Sequence, residues 1–432
     1  MVVLKTRLED GSRVAVIGGG PAGSLFAYFL LSYSRRERID LRVDVFEWRS
    51  FSDKGPRGCN RCAGILSASL LKNLTGLKLT VPKEVIRERI ASYHLHSPYG
   101  TISIDNPEPE AEILSVFRGG GPLHSPGEDI VGFDGFLLGK ALELGARHLN
   151  HRIRRISMLP QPTVFLDGET MKYNLIILAT GLNSGSVDIA GFPYSAPATL
   201  PIVIRELSAR KDDIQEYFGN SVRAFLIPRS KLTFGTLVPK DGFVNTSLLG
   251  KNDPLDIEKF LEHETVRKAM PFDYKEACSC RPRIGIGMAS NFYSDGFVAI
   301  GDAAVSRLYK DGMGSAFLTA RQAAQTAIYY GTSMEAFRIH YAPLCNEIRK
   351  DNRLGHLLFA VHHQFKDSAY FFRAHLKLIE SATSTPGVGQ SFSRILWGMF
   401  TGSYTYREIW GMVKKPRTLL RLVIEFVREK MK

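Results

Sequence analysis

Residues 13–31 read RVAVIGGGPAGSLFAYFLL, and no other stretch limits the possible fold as strongly. A short apolar strand runs into Gly18-Gly19-Gly20-Pro21-Ala22-Gly23, and an apolar helix pattern follows at once. In such a turn Gly18 permits the tight bend, Gly20 lets the backbone approach a pyrophosphate, and Gly23 lets helix and strand lie close. The helix N-terminus that follows offers free N–H groups and a partial positive charge to an anion, and Pro21 and Ala22 of the turn join the expected cofactor-binding set. The next strand, LRVDVFE at 41–47, ends in Glu47, a carboxylate placed to accept a ribose hydroxyl. Strand, glycine turn, helix and acid together predict a dinucleotide site.

A chain of 432 residues is long enough for two to three domains. Residues 14–34 carry no charge, but the Gly-Gly-Gly-Pro inside them fits a core element better than a membrane span. No signal peptide is read before the first strand. Five cysteines, an odd number, point to a reducing compartment rather than a disulfide framework. The expectation is a cytoplasmic protein, with peripheral membrane association left open. The net charge of +13 suits nucleic acid, an anionic membrane surface or an acidic protein. Of these, the partners expected are a membrane surface or an acidic electron carrier, and no nucleic acid.

Along the chain, residues 53–64 form a loop, residues 65–74 a short helix and residues 133–149 a longer one. Strands are expected near 152–158, 163–166 and 174–179, with Asp167-Gly168 as a hairpin turn between the last two. Residues 198–250 are strand-like, residues 256–270 helical, and residues 297–302 (FVAIGD) a buried strand. An Ala-rich helix follows over 315–330, and the remainder is mainly helical.

The stretch GFVAIGDAAVSRLYKDGMGSAFLTARQAA at 296–324 narrows the ligand. A strand delivers Asp302 to the sheet edge, and Gly312-Met313-Gly314 opens a second helix. One carboxylate suits a ribitol hydroxyl, and one helix N-terminus suits a phosphate or a flavin carbonyl. With these residues the chain resembles FAD-dependent enzymes of the para-hydroxybenzoate hydroxylase fold, and within them the geranylgeranyl reductase family. The resemblance spans residues 12–335. It rests on Gly18-x-Gly20-x-x-Gly23, Glu47, Cys62-Ala63-Gly64-Ile65, Ala179-Thr180-Gly181-x-Asn183-Ser184 and Gly301-Asp302-Ala303-Ala304.

The resemblance implies an α/β fold: a Rossmann-like FAD-binding domain, an interleaved antiparallel β-sheet substrate domain and a helical C-terminal region. The expected boundaries are 1–185 with an excursion near 86–130, then 186–275 for the substrate domain, 276–335 returning to the FAD domain, and 336–432. It implies that Glu47 binds the adenosine ribose, Asp302 the ribitol, and that Gly312, Met313 and Gly314 lie beside the isoalloxazine. Thr180, Gly181 and Gly301 complete the cofactor set, and Arg57 is a candidate for the pyrophosphate. Cys62 falls near the reacting face. The implied activity is reduction of C=C bonds in a hydrophobic, isoprenoid-type substrate. The alternatives are a monooxygenase on the same fold and an electron-transfer flavoprotein. Three positions depart from the family: Thr180-Gly181 replaces Asp-Gly, Phe234–Pro239 replaces Tyr-x-Trp-x-Phe-Pro, and Cys62-Ala63-Gly64 replaces Cys-Gly-Gly. The Trp-x-Trp-x-Ile-Pro segment of flavin halogenases is absent from the sequence.

Cys59-x-x-Cys62 and Cys278-x-Cys280 allow three readings. They are small residues packed near the flavin, a redox dithiol flanked by Arg57 and Arg61, or a four-thiolate iron–sulfur or zinc site. No second glycine-rich fingerprint marks a domain for NAD(P)H. Electrons would therefore come from a nicotinamide docking transiently or from a ferredoxin-like carrier. His94, His96, His362 and His363 read as structural, and Cys345 as core. Residues 413–432 carry seven basic and two acidic residues on an amphipathic helix, read either as an in-plane membrane anchor or as a helix docked on the protein's own body.

Overall fold

The computed structural model describes residues 6–59, 61–125, 130–183, 185–250, 255–380 and 388–432. Asn60, Gly127 and Ser184, which belong to stretches read above, lie outside the described residues. The fold is α/β. One sheet carries the strands Tyr293–Ser294, Phe297–Ala299, Leu175–Leu178, Ser12–Ile17, Leu41–Phe46 and Arg147–Leu149 in that spatial order. Every pairing in it is parallel except the edge hairpin. Such a sheet is covered on both faces, which is why Val14, Val16, Ile176, Ile177 and Val298 are wholly buried. The helices Pro21–Glu37 and Gly312–Gln325 meet through Phe29 and Phe317, edge to face at 5.2 Å. The first strand lies between Leu175–Leu178 and Leu41–Phe46, where the chain order reverses. In an open α/β sheet, ligands bind beyond the strand ends at that point.

The larger sheet is assembled from distant segments. It runs Lys275–Cys280, Thr199–Ser208, Phe243–Gly250, Leu232–Lys240, Ser221–Phe225, Ser92–Ser97 and Gly100–Asp105. All its pairs are antiparallel except Ser221–Phe225 against Ser92–Ser97. Its first strand carries Cys278 and Cys280, so this sheet continues past residue 275. The C-terminal helices pack onto it: Trp397 meets Tyr93 edge to face at 5.4 Å, and Phe400 stacks on Tyr93 at 6.1 Å.

Several local expectations change. Residues 65–74 split into a strand, Ile65–Leu66, and a helix, Ala68–Gly76. Ser67 divides them because its side chain caps Leu70 N–H at 3.2 Å. The helix at 133 stops at Glu143, and residues Arg147–Leu149 join the parallel sheet as its edge. Asp167-Gly168 does turn a hairpin, but between Thr163–Phe165 and Thr170–Lys172. The buried strand Leu175–Leu178 belongs to a different sheet. Residues 256–270 form two short helices broken at His263, which is extended and caps the second.

Candidate functional site

The glycine turn is dictated by close approach. Gly18 has φ +109°, and a Cβ there would lie 2.5 Å from the Ala179 carbonyl oxygen. A Cβ on Gly23 would fall 1.9 Å from the Gly18 carbonyl oxygen. Neither position admits a side chain without moving backbone. The helix begins at Pro21 with Gly20 as N-cap and no side-chain cap. Its first N–H groups are thus left for a ligand. Gly20, Pro21 and Ala22 line a cavity of about 340 Å³ together with Thr180, Gly181, Asp302, Gly312 and Met313. Residues from four separated stretches of sequence meet there.

Other members of the expected set sit differently. Gly301 is buried in the turn before Asp302. Gly314 is buried, and its N–H donates to Asp311 Oδ1 at 3.1 Å. The second helix N-terminus is therefore already capped by a carboxylate. Asp311 is held in turn by Ser67 Oγ at 2.6 Å and by Arg307 Nη1 at 2.8 Å. Glu47 is 2% exposed and is not among the residues lining the cavity. Its Oε2 accepts from Gly19 N–H and Arg49 Nη2, both at 3.1 Å, and its Oε1 from Arg49 N–H and Nε at 3.0 and 3.1 Å. Four bonds fill the acceptor sites of a carboxylate. A ribose hydroxyl reaching Glu47 must displace Arg49, which itself lines the cavity. Arg57 is exposed on the short turn Gly55–Arg57 and lies outside the lining.

No motif in the sequence points to Arg118. Its guanidinium pairs with both oxygens of the fully buried Asp134, with Nη2 to Oδ2 at 2.8 Å, and donates through Nη1 to Cys62 Sγ at 3.4 Å. Burial raises the Asp302 carboxyl above its ordinary range, partly opposed by a Ser306 hydrogen bond and by Arg118. Ile113, Ile202, Val222, Phe234, Leu248 and Phe400 line the same cavity, with Thr236 and Ser247 on the same sheet. Tyr93 also lines it, and its buried hydroxyl has no hydrogen-bond partner among the described residues. Met399, Phe400, Thr401 and Gly402 complete the enclosure, so the C-terminal region supplies a wall of the site. Lys310 latches that wall: its Nζ donates to the Gly398 and Tyr404 carbonyls at 2.6 and 2.8 Å. The only sequence signal for these groups was the Lys310-Asp311 pair directly before Gly312.

Both cysteine pairs line a second cavity of about 30 Å³, which shares Arg61, Cys62 and Arg118 with the larger one. All four thiols are free. The four-thiolate metal reading of Cys59, Cys62, Cys278 and Cys280 finds no support: among the described residues no group of three or more His, Cys, Asp or Glu is arranged to hold an ion. The surroundings are mixed in charge: Arg118 and Lys240 act on Cys59 and Arg61 on Cys280, while Glu206 lines the same small cavity, acts on Cys278 and Cys280, and pairs with Lys240 at 3.0 Å. His94 faces Arg223 rather than a metal.

No protein-family model and no curated protein sequence matches the chain. Solved structures do match in fold. The chain is similar to a triple mutant of the flavin-dependent brominase Bmp2, with TM-score 0.59 and 13% identity over 93% of this chain and 98% of that one. It is similar to the halogenase PltM, with TM-score 0.59 and 13% identity over 92% and 85%. It is also similar to p-nitrophenol 4-monooxygenase PnpA from Pseudomonas putida, with TM-score 0.57 and 14% identity over 91% and 98%. The chain therefore has the fold of the flavin-dependent halogenases and monooxygenases.

Proposed function

We propose that this chain is an FAD-dependent oxidoreductase that reduces a C=C bond in a hydrophobic, isoprenoid-type substrate. The observation that carries the reading is the two-sided cavity. One side presents a helix N-terminus, the Thr180-Gly181 turn, half-buried Asp302 and Gly312-Met313. The other is mostly apolar and aromatic. The polar side fits FAD: a Cβ at Gly181 would meet nothing within 4 Å, and one at Gly312 would face only Asp302 Oδ1 at 3.8 Å. Gly20, Pro21 and Ala22 would hold the pyrophosphate with Arg49 beside it, and Asp302 the ribitol.

Bound FAD in its reduced form supplies the hydride. The chain's own residues position the alkene, exclude water and deliver one proton. Cys62 stands on the cavity wall with Arg118 Nη1 3.4 Å from its sulfur, and it is the group that delivers this proton. The Tyr93 hydroxyl, without a hydrogen-bond partner among the described residues, stands with Thr236, Ser247 and Thr401 among the apolar lining, which favours a substrate carrying a polar group. The electron donor is a nicotinamide or a ferredoxin-like protein drawn to the basic surface. The outer face of the helix Pro416–Met431, with Leu420, Val423 and Met431 exposed among basic residues, suits an anionic membrane surface that would deliver such a substrate.

A second reading, monooxygenation, is favoured by the fold shared with PnpA. The test is an anaerobic single turnover of chemically reduced protein with a geranylgeranyl lipid. The reductase reading expects a product gaining two hydrogens per flavin reoxidised. A product formed only in air and carrying labelled oxygen would overturn it in favour of the monooxygenase.

A further inference from the structure

Two cysteine motifs separated by more than 200 positions of sequence converge on one small cavity, and the reductase reading uses only one of the four sulfurs. Their roles differ by position. Cys278 and Cys280 stand on the edge strand of the large sheet. Cys59 lines the small cavity alone, whereas Cys62 lines both cavities. Cys62 is therefore the thiol that a small molecule in the larger space can meet. Arg118 Nη1 lies 3.4 Å from its sulfur, so a guanidinium stands beside the one thiol that faces the larger space. Arg118 cannot swing away freely, because buried Asp134 grips its other nitrogens. Cys59 accepts from Arg61 N–H at 3.1 Å. Burial, together with Cys62 beside it, pushes its thiol up to about 11, so it rests protonated while Cys62 reacts.

We propose that Cys59 and Cys62 form a dithiol–disulfide couple that exchanges with small-molecule disulfides and dithiols entering the larger cavity. In the oxidising direction, the Cys62 thiolate attacks one sulfur of the external disulfide. A bond from Cys62 to that sulfur forms, the external S–S bond breaks, and the departing thiolate takes a proton from water. Cys59 then loses its proton to solvent and attacks the Cys62 sulfur, forming the Cys59–Cys62 bond and releasing the second thiol. The external disulfide gains two electrons from the cysteine pair, and its two thiolates take their protons from water, one of them balanced by the proton that Cys59 releases. A small dithiol reverses both steps. This exchange does not depend on which reaction the larger cavity carries out.

The test uses full-length protein purified without oxygen and treated with hydroxyethyl disulfide, then alkylated and mapped by peptide mass spectrometry. Two of the five thiols should be lost to a Cys59–Cys62 linkage that dithiothreitol reverses. Cys59→Ser should trap a stable mixed disulfide on Cys62. Cys62→Ser should leave Cys59 reduced on the same time scale. Far-UV circular dichroism verifies that each variant is folded, and Cys59→Ala and Cys62→Ala replace any that is not. Five thiols retained in the wild-type protein, or a linkage made to Cys280 instead of Cys62, would overturn the proposal.

Discussion

Lys310 offers the sharpest test of how the C-terminal wall is held. The side chain is buried beside the cavity, and its ammonium lies 4.0 Å from the Tyr406 ring centroid while bonding the Gly398 and Tyr404 carbonyls. Burial, helped by the neighbouring charge of Arg307, brings its pKa down from 10.5 to about 7. The unfolded chain therefore holds a proton here between pH 7 and 10 that the folded chain has released. In that window folding becomes more favourable as pH rises, and below pH 7 both states are protonated and the contribution is flat. Integrated from pH 6 to pH 9, the gain is about 2.5 kcal/mol. Lys310→Met keeps the stem, cannot titrate, and leaves the two carbonyls without their donor, at about 1–3 kcal/mol each. At pH 6 the relief from burying a charge offsets part of that loss, and at pH 9 nothing does. Urea unfolding of both proteins at the two pH values should give a stability gap that widens by about 2.5 kcal/mol toward pH 9. A gap that stays constant, or narrows, refutes the argument that a nearly neutral amine latches the wall.

Three further outcomes follow from the geometry. Gly23→Val should yield folded protein that loses flavin on desalting, since its Cβ falls 1.9 Å from the Gly18 carbonyl oxygen; the visible spectrum reads this directly. Tyr93→Phe removes a hydroxyl with no hydrogen-bond partner among the described residues, so thermal stability should hold or rise. KM for a substrate with a polar head should increase about tenfold, the loss of one hydrogen bond of roughly 1.4 kcal/mol. Deleting residues 414–432 should abolish sedimentation with anionic liposomes, and raised salt should weaken binding of the intact chain.

The glycine turn and the Gly-Asp at 301–302 were legible in the sequence because steric demands there act within a few residues. Gly18 and Gly23 answer to backbone atoms of their own turn and of Ala179, and Gly-Asp at 301–302 ends a continuously apolar strand. The opposing wall was not legible. Tyr93 reaches the cavity through a strand paired with residues near 223, and Phe400 through a helix docked on that strand. No local pattern encodes either meeting. Arg118 escaped notice for a related reason: its partners, Asp134 and Cys62, lie 16 and 56 positions away. Glu47 was correctly seen as the acid that ends the second strand. Its saturation by Gly19 and Arg49 depends on the Arg49 side chain folding back, which spacing does not reveal. At Asp167-Gly168 the turn itself was readable, and the sheet that its second strand joined was not.

The two sides of the cavity are mechanically joined at one turn. Arg307, Lys310 and Asp311 precede Gly312 and Met313, the residues that would lie beside the flavin. Arg307 Nη1 donates to the Gly402 carbonyl at 3.1 Å, Lys310 grips residues 398 and 404, and a Cβ on Gly402 would lie 2.6 Å from Asp311 Cβ. A ligand that fixes Gly312 and Met313 thereby fixes the anchor points of the C-terminal wall, and a substrate pressing on that wall acts back on the turn. Such coupling is reciprocal in free energy. Amide hydrogen exchange over residues 398–404 should therefore slow when flavin is added to flavin-free protein, although none of those residues need touch the cofactor. With Lys310→Met the slowing should shrink, because one of the links between turn and wall is gone. Equal exchange in the flavin-free and flavin-loaded proteins would mean that the wall closes independently of the cofactor, and the latch would then serve stability alone.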